Sequence, residues 1–146
     1  MAEAAVTNPE ERELRQLLGD ATTIAVVGLS SKPNRPSNSV AAYLQEHGYR
    51  IVPITPKESG VLGEPSYPTL LDVPPELRID VVDVFRRAED TPEIARHAVA
   101  IGAKVLWLQE GIVSDEAYRI ASEAGLDVIM GVCIRAVRRR LLPDEG

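Results

Sequence analysis

Thr23-Ile24-Ala25-Val26-Val27-Gly28 is an apolar run that ends in glycine. A polar, turn-forming stretch follows, Leu29-Ser30-Ser31-Lys32-Pro33-Asn34-Arg35-Pro36-Ser37, and then a helix-like segment from Asn38 to His47. The order is strand, loop, helix start. Such a junction aims backbone N–H groups and a helix N-terminus at one point, which suits a phosphate. The loop adds two hydroxyls, Ser30 and Ser31, and two cations, Lys32 and Arg35. The glycine after Gly28 is Gly48, so the G-x-G-x-x-G signature of dinucleotide binding is absent. The junction reads as a site for a phosphorylated ligand that is not built by the usual NAD recipe.

Outward from this stretch a rhythm appears. Helix candidates end at Gly48, Gly102 and Gly125, each suited to the left-handed position that closes a helix. An apolar run follows each glycine: Tyr49 to Ile54, Ala103 to Leu108, and Leu126 to Met130. Another, Ile79 to Phe85, lies between the first two. Thr91-Pro92-Glu93 and Ser114-Asp115-Glu116 read as helix starts, and Asn8-Pro9-Glu10-Glu11 as the start of a short helix over Pro9 to Leu18, with Asn8 as its cap. Strands are expected near 23–28, 50–54, 79–85, 103–108 and 126–130. Alternation with short connections predicts an α/β fold with a five-stranded parallel sheet. The segment from Lys57 to Arg78 is rich in Pro and Gly and has room for a short helix near Thr69-Leu70-Leu71, not a full crossover helix. Val132 to Leu142 reads as a C-terminal helix.

The 146 residues suit one domain spanning 1–146, with 1–8 expected to fray. A hydrophobic fraction of 45% is ordinary for a globular core. A net charge of −6 argues against a nucleic-acid binder, though not against an anionic small ligand, for which a few local cations suffice. One cysteine, Cys133, rules out an intrachain disulfide and a cysteine-based zinc site. No apolar run has the roughly 18 residues that would span a bilayer, and the first residues lack a signal-peptide core. A cytoplasmic protein without a membrane partner is the expectation.

In open parallel sheets the ligand sits beyond the carboxyl ends of the strands. After the first strand, Ser30, Ser31, Lys32 and Arg35 can meet a pyrophosphate, and Ser37 either joins them or caps the helix. After the second comes Pro53-Ile54-Thr55-Pro56-Lys57, with no acid until Glu58. An acid here would serve the ribose hydroxyls of NAD; Lys57 instead suggests a ribose phosphate, as in NADP or coenzyme A. After the third come Phe85, Arg86 and Arg87, an aromatic beside two cations. After the fourth come Gln109 and Glu110, which are weaker candidates, and Trp107 reads as core.

Catalytic equipment is thin. His47 and His97 have no evident Ser, Cys or carboxylate partner in the sequence, and Cys133 reads as packing. HExxH, the phosphate-loop lysine motif and GxSxG are all missing. Arg135, Arg138, Arg139 and Arg140 are expected on a solvated face, complementing the dipole of the last helix.

The run Ala25-Val26-Val27-Gly28-Leu29-Ser30, with Pro33, Arg35 and Ser37, resembles the opening of the small bacterial CoA-binding proteins. These are similar to the N-terminal CoA-binding domain of the succinyl-CoA synthetase α subunit. The resemblance continues through Gly48 to Pro53, Pro56, Asp83-Val84-Phe85-Arg86-Arg87, Trp107 to Ile112 and Cys133, covering roughly residues 14–141. It implies a Rossmann-like three-layer fold that binds coenzyme A or an acyl-CoA. The site it implies comprises Gly28, Ser30, Ser31, Lys32, Pro33, Arg35 and Ser37, then Pro56 and Lys57, then Val84, Phe85 and Arg86. No catalytic or metal-binding residue is implied. The family commonly carries Asp-Arg before the cysteine and Glu-His four residues after it, where this chain has Gly131-Val132 and Val137-Arg138. The synthetase's phosphorylated histidine lies in a second domain, so the ligase reaction is not implied. Two functions follow for testing: a stand-alone CoA-binding module, alone or with a partner subunit, or a small NADP- or CoA-dependent enzyme whose site a homo-oligomer completes.

Overall fold

The structure is a computed structural model, and it describes residues 8–143. In chain order it comprises α1 (Glu11–Asp20), β1 (Thr23–Val27), α2 (Pro36–Glu46), β2 (Arg50–Ile54), the short β3 (Gly60–Val61) and β4 (Glu64–Pro65), β5 (Val81–Val84), α3 (Thr91–Ala100), β6 (Val105–Glu110), α4 (Asp115–Glu123), β7 (Asp127–Gly131) and α5 (Ile134–Leu141). Five strands form one parallel sheet in the order β2-β1-β5-β6-β7. The chain runs outward from β1 to β2, then returns to place β5 on the other side of β1. The switch point is therefore the gap between β1 and β5, where the carboxyl ends of neighbouring strands diverge.

The strands are buried on both faces, which is why β1 reads as an unbroken apolar run. On one face Ile24, Val26, Val81 and Trp107 pack against Leu18 of α1, Leu44 of α2 and Ile134 of α5. On the other, Val27, Val82, Val84 and Leu106 meet α3 and α4 through Ala95, Ala98, Ala117 and Ala121. This is the expected three-layer, Rossmann-like α/β arrangement. Gly48, Gly102 and Gly125 all have positive φ, as expected of residues that close a helix before a strand.

Several local expectations are corrected. The third strand of the sheet, Val81–Val84, is shorter than 79–85; just before it the Asp80 carboxylate accepts from the N–H groups of Thr22 (2.9 Å) and Thr23 (3.1 Å). The fourth runs on to Glu110. Helix α1 starts at Glu11, and Asn8 does not cap it. The Asn8 amide instead donates to Met130 O and accepts from Met130 N–H, so it pairs with the edge of β7 as a short strand would. Residues 1–7 of the segment expected to fray lie outside the described residues, and Asn8 is bonded in place. The Lys57–Arg78 segment holds the expected short helix, a 3₁₀ turn at Leu70–Asp72. It also holds the unforeseen β3–β4 hairpin. The arginines of α5 do more than face solvent. Arg138 donates to the hydroxyl of Tyr49 (3.0 Å), which donates to Leu18 O, and Arg135 donates to Ser39 Oγ (2.6 Å). They fasten α5 to α1 and α2.

Candidate functional site

Gly28 closes β1 with φ +86°. Its N–H donates to Ile54 O at 2.8 Å, and Phe85 N–H donates to Val27 O at 2.9 Å. The carboxyl ends of β1, β2 and β5 thus meet at this glycine. A Cβ at position 28 would lie 2.7 Å from Phe85 O, so both the backbone conformation and the close approach require glycine.

The loop beyond Gly28 is held in shape by the first turn of α2. Ser37 Oγ accepts from Ser30 N–H (3.0 Å), and Asn38 Nδ2 donates to Ser30 O (2.8 Å). Ser30 Oγ accepts from Lys32 N–H (3.1 Å). Ser37 therefore orients the loop and is not the helix cap; Arg35 holds that position, with Pro36 beginning the helix. The Ser30 N–H expected to meet a phosphate is engaged within the protein. The Ser31 N–H has no partner among the described residues. On the other side, Tyr67 pairs with the edge of β2: Thr55 N–H donates to Tyr67 O (2.9 Å) and Tyr67 N–H to Pro53 O (3.0 Å). These bonds fix the start of the Thr55-Pro56-Lys57 turn.

Between these walls opens a cavity of about 710 Å³. Of the residues expected at the site, Gly28, Ser30, Lys32, Arg35, Ser37, Pro56, Lys57, Phe85 and Arg86 line it. Three do not. Val84 is fully buried in the α3–α4 layer, Pro33 lies off the wall, and Ser31 turns its hydroxyl to Glu58 Oε2 (2.8 Å). Sequence reasoning did not assign Leu29, Pro36, Thr55 and Glu58, all of which line it, as does Arg87, noted beside Arg86 but left out of the implied site. Their positions within a few residues of the strand ends were the available signal.

The electrostatics of the cavity oppose those of the chain. Lys32, Arg35, Lys57, Arg86 and Arg87 line it, and Glu58 is the acid among its lining residues. Arg86 pairs with Asp90 (3.4 Å), and Arg87 lies 3.7 Å from Glu89 and 3.8 Å from Asp90. Lys32, Arg35 and Lys57 are in no ion pair among the described residues. With a protein charge of −6, these uncompensated cations collect where the strand ends and the α2 start converge. A smaller cavity of about 160 Å³ adjoins at Arg86, with Val27, Ile54 and Leu70 as its apolar floor.

Other candidates fall elsewhere. Gln109 is buried and donates to Val132 O (3.2 Å), as does the Trp107 indole (2.9 Å). Cys133 is half-buried against the α1–α2–α5 core. His47 Nδ1 lies 2.7 Å from Tyr43 O. His97 does have a carboxylate neighbour, contrary to the sequence reading: Glu93 Oε2 lies 3.9 Å from its Nε2. No group of three or more potential metal ligands occurs among the described residues, and no helix among them is long and apolar enough to cross a membrane. Asp83 was missed as a special residue. It lies in β5 between Val26 and Trp107, is wholly buried, and neither carboxyl oxygen has a hydrogen-bond partner. Burial pushes its pKa well above the ordinary carboxyl range.

Comparison with known proteins agrees with this fold. The chain is 39% identical over 128 residues to the uncharacterised protein YneT of Bacillus subtilis (strain 168), covering 88% of this chain and 93% of YneT. A hypothetical protein from Pyrococcus horikoshii OT3 superposes with a TM-score of 0.89 at 39% identity, over 97% of this chain and 99% of that one. The dinucleotide-forming acetyl-coenzyme A synthetase 1 of Ca. Korarchaeum cryptofilum shares the fold, with a TM-score of 0.64 at 24% identity over 73% of this chain and 25% of that one. The family model of the CoA binding domain matches residues 22–139, which include the whole parallel sheet and every residue lining the larger cavity. This chain belongs to the CoA binding domain family.

Proposed function

We propose that this chain binds coenzyme A or an acyl-CoA in the cavity at the ends of β1, β2 and β5, as a binding module. The observation that carries the reading is the segregation of charge: five cations line a cavity in a protein of net charge −6. Coenzyme A carries a pyrophosphate and a ribose phosphate, so it has two anionic centres for such a wall. The Ser31 N–H, the Ser30 hydroxyl, Lys32 and Arg35 serve the pyrophosphate at the α2 start. Lys57, at the end of β2, serves the ribose phosphate. Phe85 and Arg86 border the base. Family membership supports the ligand class.

Thermal-shift titration with CoA, dephospho-CoA, NADP and NAD tests this. CoA is expected to stabilise the protein most, with binding in the micromolar range. Stabilisation by NAD equal to that by CoA would falsify the reading.

A further inference from the structure

Glu58 stands out in the cavity because its charge opposes the wall. It follows Lys57 on the β2 side, yet its carboxylate accepts a hydrogen bond from the Ser31 hydroxyl on the α2 side, at 2.8 Å. The bond joins two loops separated by 27 residues in sequence, with Glu58 on the cavity wall and Ser31 beside it. Neither neighbouring lysine, Lys32 or Lys57, forms an ion pair with it among the described residues. The acid is also anchored from behind. Ser66 Oγ donates to Glu58 O, and Ser66 N–H donates to Ser59 O at 3.3 Å, which ties Glu58 to the β3–β4 hairpin.

A carboxylate at neutral pH is an acceptor only, like a phosphate oxygen. Ser31 can give its one hydroxyl proton to Glu58 or to a ligand phosphate, not to both. A carboxylate beside a bound phosphate also adds like-charge repulsion. The geometry points to Glu58 as an affinity-determining latch: an internal anion that occupies the phosphate's place on Ser31 until a phosphorylated ligand displaces it. This rests on the phosphate-binding reading above and names a residue that opposes it. Affinity is then reduced by the fraction of molecules in which the latch is closed. Only a ligand whose phosphates make several charge-assisted bonds to the wall displaces it readily.

The test is calorimetric titration of the full chain with two probes, inorganic pyrophosphate and CoA. Glu58→Ala is expected to tighten pyrophosphate binding by about three- to tenfold, the effect of opening a latch held by one exposed bond. Glu58→Gln keeps the size of the side chain and its ability to accept a bond, and is expected to tighten binding less. In a Ser31→Ala background the gain from Glu58→Ala should shrink to less than about twofold, because the latch has already lost its partner. Unchanged or weaker pyrophosphate binding in Glu58→Ala overturns the latch. So does an equal gain in both backgrounds, which would make the effect one of general charge. Hydrogen exchange of the ligand-free protein gives a readout independent of any ligand: Glu58→Ala should speed exchange at Lys32 N–H, and no change counts against the latch. If CoA binds neither protein while pyrophosphate behaves as stated, the coenzyme reading fails and the latch stands. If pyrophosphate binds neither, the latch fails whatever CoA does.

Discussion

Two residues show how much a single position can decide. Asp83 is a carboxyl with no hydrogen-bond partner, set between Val26 and Trp107 in a layer of apolar side chains. Its folded pKa is raised by burial, so the native state keeps a proton that the unfolded chain releases above about pH 4. The contribution to stability is fully present below the unfolded pKa and is lost as pH rises through the folded one. The loss is up to about 1.4 kcal/mol per pH unit in that window. Asp83→Asn cannot ionise, so its stability should vary less between about pH 4.5 and 7.5 than the parent's. Urea denaturation at both pH values checks this, and parallel curves for the two proteins would refute it. Gly28 decides by its lack of a side chain. With φ at +86° and Phe85 O only 2.7 Å from where a Cβ would sit, Gly28→Ala must strain the backbone or part the strand ends. A cost of roughly 1–3 kcal/mol is expected in chemical denaturation, with loss of ligand binding. A variant as stable as the parent would mean that the junction adapts freely.

At the scale of elements, the β1–α2 loop owes its shape to α2. Ser37 and Asn38, both buried, grip the N–H and C=O of Ser30 from the first turn of the helix. Asn38→Ala removes one of the two bonds and leaves Ser30 O without its donor. About 1 kcal/mol of stability should be lost, and CoA should bind more weakly through faster dissociation, since a looser loop must be ordered on binding. Stopped-flow dissociation measures this; an unchanged off-rate would show that the loop is held by other contacts. A similar economy governs the opposite end of the sheet. Burial raises the pKa of Asp80, but the Thr22 and Thr23 N–H groups, the Thr22 hydroxyl and Lys104 outweigh that and hold it below the ordinary range. One carboxylate thereby joins the α1–β1 turn to the start of β5 and β6.

For the whole molecule, the relevant property is the separation of charge. Five cations of this acidic chain line one cavity, and Lys32, Arg35 and Lys57 among them are in no ion pair among the described residues, an arrangement whose field favours an anionic ligand there. Lys57, exposed and in no ion pair among the described residues, should contribute to the ligand that has a ribose phosphate and little to the one that lacks it. Lys57→Ala is expected to weaken CoA by roughly tenfold, about 1.4 kcal/mol, and dephospho-CoA by much less. Equal losses for both would move Lys57 to the pyrophosphate or out of the site.

The sequence by itself determined the succession of strands and helices, the helix-closing glycines and the position of the polar loop between β1 and α2. These are local properties: side-chain periodicity and the φ preference of glycine act within a few residues. Nine of the twelve expected site residues line the cavity, because residues that follow parallel strands gather at one edge of the sheet. What only the tertiary structure decided was which distant groups meet. Ser31 finds Glu58, Asn8 finds Met130, and Arg138 finds Tyr49 across 27, 122 and 89 residues. Val84 points into a helix layer and away from the cavity, and Asp83 is enclosed without a partner, because strand order and layer packing select the face each residue presents. No local pattern encodes these outcomes. They follow from the packing of elements that are remote in the chain.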